Sequence, residues 1–88
     1  MNEKNLFFFY VNTKIEASKA VMKGSEIKAA IQAVVPAFDP THDLILEGHG
    51  SDPDELIKDD ASVSLEHGHG EGPKHFFSKP PANFGGMD

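Results

Sequence analysis

One amphipathic segment restricts the fold of this chain more than any other feature of its sequence. After Gly24, apolar side chains recur at i, i+3, i+4, i+7 and i+8, and these are Ile27, Ala30, Ile31, Val34 and Val35. That spacing forms a single apolar stripe on an α-helix. Ser25 is a suitable N-cap, Glu26 suits the positive end of the helix dipole, and Pro36 ends the helix. We therefore predict one helix from Ser25 to Val35, whose stripe is buried against one sheet.

The segment before the helix has the pattern of a β-hairpin. The run LFFFYV, from Leu6 to Val11, is rich in aromatic and β-branched residues and is too short for a helix. A turn at Asn12-Thr13 follows, and the next segment, KIEAS, places Ile15 and Ala17 on one face. We predict two strands between Leu6 and Ser18, with one side of the hairpin buried.

Three further strands are predicted after the helix. DLILEG alternates, with Leu44 and Leu46 on one face and Ile45 on the other. The segment GHGSDPDEL is interpreted as turn and loop, in which Asp54 to Ile57 could form a short helical turn. SVSLE alternates again and directs Val63 and Leu65 inward, and KHFFS is the last strand.

This order of elements, ββαβββ, predicts an α+β fold in which a mixed sheet packs on one helix. A helix with one apolar stripe needs only one sheet, and the connection through the helix favours a β-grasp arrangement with the last strand in the middle of the sheet, beside the first. Eighty-eight residues suffice for one small domain. We expect the β-grasp domain to span residues 1–78 and a flexible C-terminal tail to span residues 79–88.

Composition excludes several classes of function. The chain has no Cys, which rules out disulfides and thiol chemistry on its own side chains. Eight Lys, no Arg and fourteen acidic residues give a net charge of −6, which disfavours nucleic acid as a partner. No segment approaches the ~20 apolar residues that cross a bilayer. We expect a soluble, cytoplasmic protein.

The histidine-rich turn EHGHGEG raises the question of a metal site. His67 and His69 lie two residues apart, Glu66 and Glu71 flank them, and His75 follows. Zinc or copper ligands could be drawn from this set, but glycine-flanked ligands on a turn lack the neighbours that orient a metal ligand. We predict a solvated turn with no metal or other cofactor. Because no nucleophile elbow or phosphate loop is present, we also predict that the protein is not an enzyme.

The C-terminal segment KPPANFGGMD has a distinctive composition. Pro80 and Pro81 cannot continue a hydrogen-bonded ladder and favour an extended exit from the domain. About 8 extended residues reach ~25 Å from the fold, far enough to enter a cleft of another protein. Gly85 and Gly86 have no Cβ, so they can pass through a narrow channel and leave a carbonyl accessible. A disordered terminus is the alternative interpretation.

Together with the order of elements, this tail resembles that of ubiquitin-like proteins, and more closely that of bacterial ubiquitin-like and multiubiquitin-domain proteins. The resemblance covers nearly the whole chain and is carried by VNTKIE, GSEIKAAI, DLILEG and, above all, HFFSKPPANFGG. It implies a protein modifier that works with an E1-like adenylating enzyme, an E2-like carrier and a JAB-type zinc peptidase. A role in antiphage defence is a further implication.

The resemblance also implies roles for individual residues. Gly86 would carry the activated carboxylate, and Gly85 would be its neighbour in the channel. The recognition segment would comprise Pro80, Pro81, Asn83 and Phe84. Met87 and Asp88 would form a propeptide, because the Gly86 carboxyl cannot be adenylated while it is held in an amide bond. No Arg precedes the glycines, so we expect an aromatic pocket for Phe84, and we find no equivalent of the ubiquitin hydrophobic patch in the sequence.

Three functions from different classes stay open at this point. The first is a modifier conjugated to a target amine, and the second is a sulfur carrier whose terminal glycine becomes a thiocarboxylate. The third is a β-grasp binding or assembly module that is never conjugated. The mass of the protein recovered from its native cell distinguishes them, because it reports loss of Met87-Asp88, gain of sulfur, or neither. The sequence gives no target and no oligomeric state.

Overall fold

The computed structural model describes residues 6–48, 50–66 and 72–81. Seven strands and one helix are found in this part of the chain. In chain order they are β1 (Phe7–Tyr10), β2 (Thr13–Glu16), β3 (Val21–Lys23), α1 (Gly24–Val34), β4 (Asp43–Leu46), β5 (Glu55–Ile57), β6 (Ser62–Ser64) and β7 (His75–Lys79).

The strands form one mixed sheet of five strands and one small sheet of two. The larger sheet has the order β2-β1-β7-β4-β5, and the smaller pairs β3 with β6. The last strand, β7, lies between β1, to which it is parallel, and β4, to which it is antiparallel. The prediction of an α+β fold, with a mixed sheet and one helix, is therefore confirmed.

The helix and the larger sheet enclose the hydrophobic core. Ile27 and Ile31 of α1 are fully buried, in one cluster with side chains from all five strands of the larger sheet and from the small sheet. The members of this cluster outside the helix are Phe8, Ile15, Met22, Phe38, Leu44, Ile57, Val63, Leu65 and Phe76. The predicted inward orientation of Ile15, Val63 and Leu65 is confirmed.

Val34 does not pack against the sheet, contrary to the prediction. It is the last residue of α1 and is 51% exposed. The chain turns immediately after it, where the Phe38 amide donates to the Val35 carbonyl at 2.9 Å, and the Phe38 ring fills the space at this end of the core. Because Phe38 covers this end of the core, Val34 is the exposed member of the apolar stripe, whereas Val35, directly after the helix, is partly buried against the core.

The start of α1 is held by backbone contacts rather than by the predicted Ser25 cap. The helix begins at Gly24, and the Glu26 carboxylate accepts a hydrogen bond from the Lys23 amide at 2.8 Å. The Gly24 and Ser25 amides donate to carbonyls of the loop before β6, at 2.9 and 3.0 Å. A Cβ at position 24 would lie 2.2 Å from the Lys58 carbonyl oxygen, so only glycine fits this approach.

Several short elements differ from the prediction. Asp54 to Ile57 is not a helical turn, since residues from Glu55 form β5 and pair with β4. β3 was not predicted, and the SVS strand pairs with it in the small sheet instead of joining the large one. The first hairpin turns at Val11-Asn12, one residue earlier than predicted, because Tyr10 already pairs with Thr13.

Within the described residues, no helix has the length and apolar character needed to cross a membrane.

Candidate functional site at the end of β7

β7 anchors the segment that leads to the tail. Its Phe76 ring is fully buried and meets the Phe8 ring edge-on, with centroids 5.3 Å apart. The Tyr10 and Ser78 hydroxyls share a hydrogen bond of 2.7 Å, which ties β7 to β1 on the core side. The chain therefore leaves the domain from a strand that is paired and packed on both sides.

The end of the sheet at this point is defined by the last pair of residues in the ladder, Asp43 of β4 and Lys79 of β7. Pro80 and Pro81 follow outside any strand, and both are exposed. Neither has an amide hydrogen, so the ladder cannot continue through them. These two residues are thus accessible to a partner, as a recognition segment would have to be.

The remaining predicted site residues lie outside the described part of the chain. They are Asn83, Phe84, Gly85, Gly86, Met87 and Asp88. Their predicted roles in recognition, activation and processing stay predictions.

A second feature near β7 is the face of the larger sheet turned away from the helix, here called the outer face. Its apolar side chains come from four neighbouring strands and are Phe7, Phe9, Ile45, Leu56 and Phe77. The register aligns Ile45 with both Phe77 and Leu56 in one row across the sheet. Ile45 is only 5% exposed although it is outside the core cluster, whereas Leu56 is 48% exposed.

Rings and charges are arranged closely on the outer face. The Phe7 and Phe9 rings meet edge-on at 5.8 Å, and the His75 ring stacks on Phe9 at 5.1 Å. The Lys14 ammonium lies 4.5 Å from the centroid of Phe7, a cation–π contact. A groove of about 310 Å³ crosses β7, β4 and β5 and is lined by Asp43, Ile45, Asp54, Leu56, Phe77 and Lys79.

The outer face was not predicted from the sequence. A strand with one buried side should alternate apolar with polar residues, but FFFY and HFF are apolar or aromatic at every position. The absence of alternation was the signal that both faces of β1 and β7 carry large apolar side chains.

The histidine turn is largely outside the described residues, which omit His67, His69 and Glu71. Among the residues that are described, no three side chains of His, Cys, Asp or Glu come together in a way that could hold a metal ion. His75 lies on the outer face against Phe9, and Glu66 is exposed.

One polar cluster outside the sheet contains a carboxyl group, that of Asp39, whose pKa is lowered. In the turn after α1, the Thr41 hydroxyl and amide both donate to Asp39 Oδ1, at 2.7 and 2.9 Å, and lower the pKa of that carboxyl. His42 Nε2 lies 3.4 Å from the other carboxylate oxygen. The cluster orders the turn that leads into β4.

A scan of the chain against protein-family models finds no match, and searches of curated proteins and of solved structures find none either.

Proposed function

We propose that the chain has a β-grasp fold and is the precursor of a ubiquitin-like protein modifier. The proposal assigns the predicted roles to the tail: an E1-like enzyme activates Gly86, an E2-like enzyme carries it, and a JAB-type peptidase removes Met87 and Asp88. Conjugation to a target amine would follow, with antiphage defence as the proposed setting.

One observation carries the proposal: the last strand of the chain is the central strand of the five-stranded sheet. β7 is parallel to β1 and ends at Lys79, and Pro80 and Pro81 follow it fully outside the ladder. Any residue after Pro81 is therefore attached to the most firmly held part of the domain and starts at an open end of the sheet. This is the geometry that supports delivery of a terminal carboxylate into the cleft of another protein.

The chemistry assigned to Gly86 has three steps. Hydrolysis of the Gly86–Met87 amide uses one water and releases the segment that begins with Met87-Asp88, leaving a carboxylate on Gly86. Attack of this carboxylate on the α-phosphorus of ATP forms an acyl-adenylate and expels pyrophosphate. A thiolate of the partner enzyme then attacks the glycine carbonyl, forms a thioester and releases AMP.

Glycine suits this chemistry at both positions of the pair. A Cβ at Gly85 or Gly86 would widen the segment that has to enter the adenylation channel and would restrict its backbone angles. Gly86→Ala should therefore slow processing and activation, while the melting temperature stays the same because the core cluster of the described residues is complete at Phe76.

The experiment is a charging assay with the E1-like enzyme from the same organism. Full-length protein and a form ending at Gly86 are incubated with the enzyme and ATP, and a thioester is detected as a band that a reducing agent removes. We expect the form ending at Gly86 to charge without the peptidase, the full-length form to charge only with it, and a form ending at Gly85 to fail. Equal charging of full-length and trimmed protein without peptidase, or no charging of either, would contradict the proposal.

The mass of the protein from its native cell separates the modifier from the two other functions. Loss of Met87-Asp88 together with adducts on other proteins supports the modifier. A trimmed form that gains sulfur at Gly86 would indicate the sulfur carrier, and an untrimmed form would indicate a binding or assembly module.

A further inference from the structure

We propose that the outer face is a self-association surface that binds a second copy of this chain, forming a weak and reversible dimer. The proposal concerns the sheet and not the tail, so it holds or fails independently of the function assigned to Gly86.

The first argument is the contiguity of apolar groups on this face. Phe7 and Phe9 on β1, Phe77 on β7, Ile45 on β4 and Leu56 on β5 form a diagonal strip over four neighbouring strands. The helix packs on the opposite face, where Ile27 and Ile31 are buried with Phe8, Leu44 and Phe76. Within residues 6–48, 50–66 and 72–81 no helix packs over this strip, and an apolar strip of this kind favours association with another apolar surface.

The second argument is the distribution of charge across the same face. Lys14 projects from β2, at one edge of the sheet, and is held over the Phe7 ring. Asp43, Lys79 and Asp54 line the groove; Asp43 of β4 pairs with Lys79 of β7, and Asp54, which precedes β5, is the acid nearest the other edge. Glu16 pairs with Phe7, whereas Lys14 pairs with Phe9. Glu16 therefore lies further along the strands from the groove than Lys14 does. The chain carries a net charge of −6, so a second acidic chain is attracted only where a cation meets these acids.

In a dimer with twofold symmetry, this distribution of charges favours one specific arrangement of the two copies. β7 is the third of five strands, so a twofold axis parallel to the strands and passing over β7 places β2 of each copy against β5 of the other. Lys14 of each copy then approaches Asp54 of the other, and both ion pairs form at once. Phe77 lies close to the axis and meets its own counterpart, as expected for an isologous interface.

The size of the face sets the strength of the dimer. Five strands at a spacing of ~4.8 Å and a length of about four residues at ~3.3 Å give a projected area of ~300 Å² per copy. A standard stable interface buries about 800 Å² on each partner. We therefore expect a dissociation constant of roughly 0.1–1 mM, in the range of transient complexes.

Sedimentation equilibrium of the full chain, from about 10 μM to about 1 mM, measures this association directly. We expect the average mass to rise from monomer towards dimer over this range. Leu56→Asp should weaken association at least ~10-fold, because it adds a charge to the apolar strip. Val34→Asp is the matched control: Val34 is 51% exposed and Leu56 48%, but Val34 lies at the end of the helix, so its substitution should leave the dimer unchanged.

A charge exchange tests the proposed arrangement. Lys14→Asp and Asp54→Lys should each weaken association, and the double variant should restore it to near the wild-type value, because the two charges meet again with their positions reversed. Circular dichroism checks the fold of each variant, since Asp54 also accepts a hydrogen bond from the Gly48 amide.

Three results would overturn the proposal. The first is a protein that stays monomeric at about 1 mM, which means that the outer face has another occupant. The second is a Val34→Asp variant that weakens association as much as Leu56→Asp does. The third is a double variant of Lys14 and Asp54 that folds but associates no better than the single variants.

Discussion

At the scale of single residues, Val11 is the side chain least suited to its backbone. Its φ is 57°, in the left-handed region, and no other described non-glycine residue has a positive φ. Valine is β-branched, and the left-handed conformation costs an L-residue roughly 1–2 kcal/mol. Two features offset this strain: the turn joins β1 to β2 in only two residues, and the Val11 amide donates a hydrogen bond to the Phe76 carbonyl at 2.9 Å.

We expect Val11→Gly to stabilise the protein by up to about 1 kcal/mol. The substitution removes the backbone strain, and this gain exceeds the ~0.5–1 kcal/mol of stability lost because glycine gives the unfolded chain more conformational entropy. Little packing is lost, because Val11 is 54% exposed. Urea unfolding measures the change. Val21→Gly is the control: Val21 is 50% exposed in β3 with an ordinary φ, so its replacement should destabilise. A loss of stability at both positions would contradict the prediction.

Glu26 gives a residue-scale prediction that depends on pH. The Lys23 amide, and secondly the Lys19 ammonium at 3.0 Å, lower its pKa from the ordinary value of 4.5. A lowered pKa in the folded state means that the carboxylate stabilises the fold above pH 4.5 and that this contribution is lost as the pH falls through the folded-state pKa. The helix start should therefore weaken in acid.

We expect Glu26→Gln to be less stable than the wild type at pH 7 and the difference to close as the solution is acidified below pH 4.5. Glutamine can still accept the Lys23 hydrogen bond, so the comparison isolates the charge. Repeating it in about 1 M salt should shrink the difference at pH 7, because the groups are exposed and screened. A difference that is constant from pH 7 to pH 3 would refute the assignment to charge.

At the scale of elements, Ile27 and Ile31 are the two fully buried residues of the apolar stripe, and Ala30 and the C-cap residue Val35 are partly buried against the same core. Ile31 is fully buried, and Val34, one turn later, is exposed. Ile31→Ala should cost ~2–5 kcal/mol, because it leaves a cavity between the helix and the sheet. Val34→Ala, the matched control, should change stability by less than about 0.5 kcal/mol. Thermal melting of both variants decides the point, and equal losses would show that the last turn is packed after all.

A comparison of the predicted with the observed elements shows which of them could be predicted from the sequence. The helix, β1, β2, β4 and β7 were identified because each has four or more residues with a clear period or composition. β3 and β5 have three residues each and lie in no longer alternating run, unlike the equally short β6, whose alternation continues through Leu65. They exist because β6 and β4 lie beside them. The end of the helix stripe was misjudged because only the packing of Phe38 shows where the core stops.

The candidate site likewise has one part that could be predicted from the sequence, the tail, and one part that could not, the outer face. The roles of the tail residues were proposed from local composition, which can be read directly from the sequence. Prolines end a hydrogen-bonded ladder, and glycines lack a Cβ. The outer face required the register of four strands, since Phe9 and Leu56 are far apart in the chain and share a face only through β7 and β4. A surface assembled by sheet order is visible only once that order is known.

At the scale of the whole molecule, the first and last strands depend on each other. β7 supplies the fully buried Phe76, and it is the only strand that joins the β1–β2 hairpin to β4 and β5 in the described part of the chain. Without β7, the larger sheet would separate into two antiparallel pairs, each too small to be stable alone. The fold can therefore be completed only when nearly the whole chain is available.

Two truncations test this dependence. A chain ending at Pro81 should melt at the same temperature as the full protein, because in the described part of the chain every member of the core cluster precedes that residue. A chain ending at Lys74 should be unfolded, because it lacks β7 and leaves both halves of the larger sheet with an open edge. Circular dichroism melting and the dispersion of amide resonances measure both outcomes. A cooperative transition in the shorter chain would show that β7 is added to a sheet already formed, and the carboxylate proposed at Gly86 would then extend from a peripheral strand rather than from the centre of the fold.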